Sequence, residues 1–149
     1  MGSAAVEIKL GELDALARRI KAFELSGGDK QQLLSELGSV IVEQTQDRIS
    51  LHKESPEGDP WKDITEAYKK RKRKTSRGGI LERDGDLLQS IGHQLTGRDS
   101  ILIGSPEEYA DFHQNAKSKE RRRKFLGLST KNIEELQYAV DAFMRGHVA

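Results

Sequence analysis

Along this 149-residue chain the apolar positions change period several times, and each change predicts an element. From Ala5 to Leu10 the pattern alternates, with Val6, Ile8 and Leu10 on one side and Glu7 and Lys9 on the other, as in a half-buried strand. Leu13, Leu16, Ala17, Ile20 and Phe23 then recur every three or four residues, a first helix that should end near Ser26-Gly27-Gly28, where glycine can take a left-handed cap. Asp29 is the expected N-cap of a second helix. Leu33, Leu37, Val40, Ile41, Gln44 and Arg48 share one of its faces, so it runs to near Ile49. Between His52 and Pro60 lie two prolines, a glycine and three acidic residues with no apolar period, a turn-rich connection closed by Trp61, which we expect to anchor the loop to the core.

Ile64 to Tyr68 reads as the start of a helix capped by Asp63, followed by a polar tract that Gly78-Gly79 ends. Leu87–Leu95 and Ser100–Ile103 are predicted strands joined by the hairpin turn Thr96-Gly97-Arg98-Asp99. Glu107 to Gln114 is expected to form one or two helical turns, with Tyr109, Phe112 and His113 packing by their rings. In the final helix, Ser129 or Thr130 is the cap, Ile133, Leu136, Val140, Phe143 and Met144 form the apolar stripe, and Gly146 should lie just past the end. These elements predict an α+β fold in one domain over residues 1–149. A small antiparallel sheet packs with N-terminal helices and a C-terminal helix, and two long basic loops stand at about 69–79 and 115–124.

Charge sharpens this picture. The formal net charge is only +1, yet Lys69, Lys70, Arg71, Lys72, Arg73, Lys74 and Arg77 crowd one tract, and Lys117, Lys119, Arg121, Arg122, Arg123 and Lys124 another. Two basic tracts therefore sit on an acidic body and can present a positive face to DNA or to an acidic protein. The first tract has no apolar residue to bury, so it is expected to stay solvated unless a partner holds it. At 35% hydrophobic and 33% charged, the chain has a modest core. There is no cysteine, which removes disulfides and thiolate chemistry. No apolar run approaches the roughly 20 residues of a membrane-spanning helix, and the first residues lack a secretory pattern, so we expect a soluble protein that stays where it is made, with no membrane partner.

Candidate chemistry is sparse. Asp111 and His113 are close in sequence, but on a helix they point about 200° apart and cannot serve one ion or proton together. His113 reads instead as a buried ring beside Tyr109 and Phe112. The other histidines are scattered, and Ser26-Gly27-Gly28-Asp29-Lys30 lacks the spacing of a phosphate-binding loop. The expectation is no catalytic residue, no metal, no cofactor and no enzymatic activity. The basic tracts fit either a sequence-independent contact with the DNA backbone or a loop that orders on a protein partner.

Several short blocks carry more information together than singly: Gly58-Asp59-Pro60-Trp61, Leu81-Glu82-Arg83-Asp84-Gly85-Asp86-Leu87, Tyr109-Ala110-Asp111-Phe112-His113-Gln114 and Arg123-Lys124-Phe125-Leu126-Gly127. In this order and spacing they resemble the virion-morphogenesis, or tail-completion, family of tailed bacteriophages. Asn115-Ala116 and Arg121-Arg122 depart from the family pattern, which has a glycine and a proline at about those places, so the intervening loop is expected to be built differently. The resemblance implies a structural assembly protein that completes the tail and joins it to the head. It implies partners among tail, neck and head-tail connector proteins, a homo-oligomeric ring at least on the tail, and residence in the host cytoplasm during assembly and, if retained, in the virion. The two basic tracts are then the candidate contact surfaces, for protein or weakly for DNA, with Trp61, Tyr109, Phe112, His113 and Phe125 as structural anchors.

Overall fold

A computed structural model describes residues 3–22, 25–61, 86–107, 110–117 and 122–147. Its sheet forms from three strands, β1 (Ala4–Lys9), β2 (Gly92–Leu95) and β3 (Ser100–Ser105), in the order β1-β3-β2 and antiparallel throughout. Alternation decides which side is buried. Val6 and Ile8 pair with Ile103 and Ile101, while His93 and Leu95 approach the same two isoleucines from β2. Ile101 and Ile103 are therefore buried at the centre of the sheet, and Glu7, Lys9 and Gln94 face solvent.

A 3-10 turn (Leu10–Glu12) leads into α1 (Asp14–Ala22), and α2 (Gly27–Asp47) lies across β2 and β3. α2 starts one turn earlier than the pattern suggested. Ser26, not Asp29, is its N-cap, with its Oγ accepting the Asp29 N–H at 3.1 Å, and Gly27 and Gly28 are its first helical residues rather than the cap of α1. Asp29 then sits in the first turn, where a carboxylate favours the positive end of the helix. The C-terminus of α2 widens into a π turn (Arg48–His52) that ends at Lys53 in the left-handed conformation, φ 54°. That extra residue per turn buries Arg48 together with Ile49.

The predicted strand Leu87–Leu95 is only half a strand. Its first part is a short helix, α3 (Asp86–Ser90), and extension begins at Gly92. Leu87 and Ile91 are four residues apart and both buried, a spacing that one helical turn and an alternating strand satisfy alike, so periodicity does not separate the two. Ser90 Oγ closes the turn on the Leu87 carbonyl at 2.7 Å and meets Ser105 Oγ on β3 at 2.5 Å. α4 (Ala110–Asn115) is short, and α5 (Thr130–His147) buries Leu136, Val140, Phe143 and Met144 against α2 and α1. Gly146 lies inside its last turn rather than beyond it. Ser129 caps α5 reciprocally: its Oγ accepts the Asn132 N–H and its own N–H donates to Asn132 Oδ1, both at 3.0 Å.

Gly38 sets how closely α2 approaches the sheet. A Cβ there would stand 2.3 Å from Cδ2 and 2.7 Å from Cγ of His93, so the imidazole on β2 lies directly over the helix backbone. Alanine is the better helix former by about 1 kcal/mol, but a Cβ this close overpacks the ring, at about 1–3 kcal/mol. Gly38→Ala is thus expected to lower the melting temperature, and His93→Ala in the same chain to recover part of the loss. A Gly38→Ala protein as stable as the parent would show that His93 moves freely.

Candidate functional site

Four polar side chains from four different places converge on one stretch of irregular backbone, residues 122–129. Gln114, at the end of α4, holds it from one side: its Oε1 accepts the N–H groups of Phe125 and Leu126, each at 3.0 Å, and its Nε2 donates to the Leu126 carbonyl at 3.3 Å. Arg48 holds it from the π turn. Its Nη1 donates to the carbonyls of Phe125 at 2.7 Å and Gly127 at 3.3 Å, and its Nη2 donates to Asn132 Oδ1. Asn132 in turn offers its backbone carbonyl to Gln44 Nε2 at 3.1 Å. A strap with no ladder of its own thus has its buried peptide groups satisfied by side chains.

Trp61 supplies the fourth grip. The loop from Lys53 turns back on itself through Ser55 and Gly58, the latter at φ +92°, and brings Trp61 N–H to the Lys53 carbonyl at 2.9 Å. The indole is only 7% exposed, and its Nε1 donates to the Lys124 carbonyl at 3.1 Å. Beside it Lys124 Nζ meets Glu57 Oε1 at 2.5 Å, and this bond, more than any other influence, draws the Glu57 carboxyl below its ordinary pKa. Gly127 adopts φ +138° with Pro56 packed where a Cβ would be, the nearest atom 2.9 Å away, so only glycine fits this corner. Phe125 and Leu126 point inward and are fully buried.

Electrostatics at the strap follow from burial. Arg48 is 4% exposed; desolvation pulls its pKa down from the ordinary guanidinium value, and the carboxylates of Glu57 and Glu54 oppose that pull. His113, whose carbonyl accepts the Arg123 N–H at 2.7 Å, is lowered to about 4, first by burial and then by the Arg123 charge. The sign is fixed: the fold favours the neutral ring, and the unfolded chain takes up its proton first. His113 therefore contributes stability in full above the ordinary value of 6.5 and loses it as pH falls through about 4. We expect a loss on the order of 1–3 kcal/mol across that window after solvent screening, seen as a falling melting temperature that His113→Gln flattens. An unchanged slope in that variant would assign the acid sensitivity elsewhere.

Of the basic residues singled out in the sequence, Lys117 and Arg122 are exposed, Arg123 and Lys124 are half-buried, and Lys124 is engaged with Glu57. Lys69, Lys70, Arg71, Lys72, Arg73, Lys74, Arg77, Lys119, Arg121 and Tyr109, as well as the Phe112 side chain and the helix expected from Ile64, lie outside the described residues. The indole bond joins Trp61, which precedes the first tract in the chain, to Lys124, the last residue of the second. Asp111 is exposed and accepts from Asn115 Nδ2 at 2.7 Å, on a different side of α4 from His113. Among the described residues no group of acidic or histidine side chains is arranged to hold a metal ion. No described helix is long and apolar enough to cross a membrane.

Sequence reasoning overlooked the strap and its holders. Gln44 and Arg48 were visible as polar residues on the apolar face of α2, a signal of buried hydrogen bonding, but their partners are mostly backbone carbonyls, which leave no mark in a sequence.

Comparison with known proteins gives two matches. The Phage virion morphogenesis family matches residues 11–144. Mu-like prophage FluMu G protein 1 of Haemophilus influenzae is 30% identical over 111 residues, which cover 73% of this chain and 75% of that protein. No solved structure matches.

Proposed function

We infer, because this chain belongs to the phage virion morphogenesis family, that it completes the phage tail and helps join it to the head through protein-protein contacts, working as a ring at the tail end. The family and the Mu-like prophage relative support a role in virion assembly. The observation that carries the finer reading is the Trp61 to Lys124 bond, which fastens the end of the second basic tract to the loop that precedes the first in the chain. Two tracts carrying so many like charges on an otherwise acidic body are suited to an acidic surface on a neighbouring virion protein. The short sequence blocks support the same reading, because Gln114, Trp61 and the two glycines at 58 and 127 shape backbone.

Purified tails made without this protein provide the test. Added back, it should bind at the head-proximal end and restore joining to filled heads, and reversing the charge of Lys117 and Arg122 should weaken that restoration without lowering the melting temperature. Tails that join heads equally well in its absence would sink the reading. A protein that instead holds duplex DNA at physiological salt, with affinity falling steeply as salt rises, would reassign the basic tracts to a DNA backbone.

A further inference from the structure

Tyr138 stands out on α5. It is 72% exposed, whereas the other aromatic side chain of that helix, Phe143, is buried. Glu134 and Glu135 are exposed one turn before it, and the small, exposed Ala142 one turn after, so the ring projects as a knob with an acidic flank and an open side. Elsewhere, between the 3-10 turn, α1, the start of α2 and the β2–β3 hairpin, lies an open cleft of about 470 Å³. Leu10, Ala17, Ile20 and Leu25 make its walls, and Lys21, Lys30 and Asp99 its rim. The rim is structured by an ion pair between Lys30 and Asp99.

We propose that the knob of one copy seats in the cleft of the next, Tyr138 entering the apolar walls while Glu134 and Glu135 face Lys21 and Lys30. Two properties favour a second copy as the occupant. The charges are complementary on one flank, with Glu134 and Glu135 beside the knob and two lysines to one aspartate at the rim of the cleft. The chemistry is matched, since a tyrosine brings a large apolar ring with little rotamer entropy to lose and a hydroxyl that Asp99 can accept from. Knob and cleft are different patches, and Arg19, which pairs with Asp141 on α5 at 2.7 Å, is not among the cleft residues. The contact is therefore heterologous and closes into a ring when its rotation permits. This rests on the ring reading above and names the surfaces that would form it.

Light scattering over a dilution series tests it on the full chain. Tyr138→Asp should raise the concentration needed for assembly by about tenfold or more, with an unchanged melting temperature because the side chain is exposed. Ala17→Trp, which fills the cleft, should do the same. Mixing these two variants leaves one competent knob and one competent cleft, so the mixture should form pairs and nothing larger. Glu134→Lys with Glu135→Lys should weaken assembly, and Lys21→Glu with Lys30→Glu in the same chain should restore it. Assembly of the parent that Tyr138→Asp leaves untouched would overturn the proposal while the ring reading stands. A parent that stays monomeric to its solubility limit would overturn it too, and the tail-joining assay then judges the function separately.

Discussion

Replacing Arg48 by alanine is expected to lower the unfolding free energy by about 3–5 kcal/mol, through the hydrogen bonds withdrawn and the cavity left. The size follows from what is left behind. Arg48 donates to the Phe125 carbonyl, the Gly127 carbonyl and Asn132 Oδ1 at once, and truncation leaves the two carbonyls without that donor, while Asn132 Oδ1 keeps the Ser129 N–H. Each such group costs about 1–3 kcal/mol, and the missing stem adds a cavity beneath the strap. Domains of this size hold about 5–15 kcal/mol in total, so the variant should sit close to its unfolding threshold at 37 °C. Arg48→Lys separates charge from shape: one ammonium cannot span three acceptors in a fork, and it should recover less than half of the loss. Urea denaturation of the three proteins measures this directly. Equal midpoints for Arg48→Lys and the parent would show that the charge alone matters, and the fork geometry would then be incidental.

The parts of this fold that sequence revealed are those whose burial has one period. β1 and α5 are of that kind, because Val6 and Ile8 alternate while Leu136, Val140 and Met144 recur at helical spacing, and no competing pattern overlaps them. The segment from Leu87 to Ile91 has a leucine doublet and an isoleucine that fit either period, and the hydroxyl of Ser90, which settles it, finds its partner on β3. The glycine pair after Ser26 was equally ambiguous, since glycine can follow one helix or begin the next. The short blocks that carry the family resemblance were visible as a list of turns and aromatic residues but not as one object. Only in three dimensions do Gly58, Trp61, Gln114 and Gly127 prove to hold a single strap from residues 122 to 129, with bonds that span 63 residues from Trp61 and 77 from Arg48. Local periodicity carries no information about such pairings.

The second large effect is expected at Trp61. Truncating a buried tryptophan costs about 3–5 kcal/mol, and here the ring is 7% exposed and part of the main apolar cluster, so Trp61→Ala should fall in that range. Trp61→Phe isolates the indole N–H: it keeps most of the buried area and loses the donor to the Lys124 carbonyl, a change of about 1 kcal/mol with some added cost for the acceptor left behind. The comparison also has a functional arm, because the bond to Lys124 ties the loop that precedes the first basic tract to the end of the second. If that tie matters for presenting a joint surface, Trp61→Phe should retain nearly all of its stability and still restore tail-to-head joining less well than the parent at equal concentration. Equal activity would confine Trp61 to a packing role, whereas a stability loss in Trp61→Phe as large as that of Trp61→Ala would mean the hydrogen bond, and not the ring, anchors the loop.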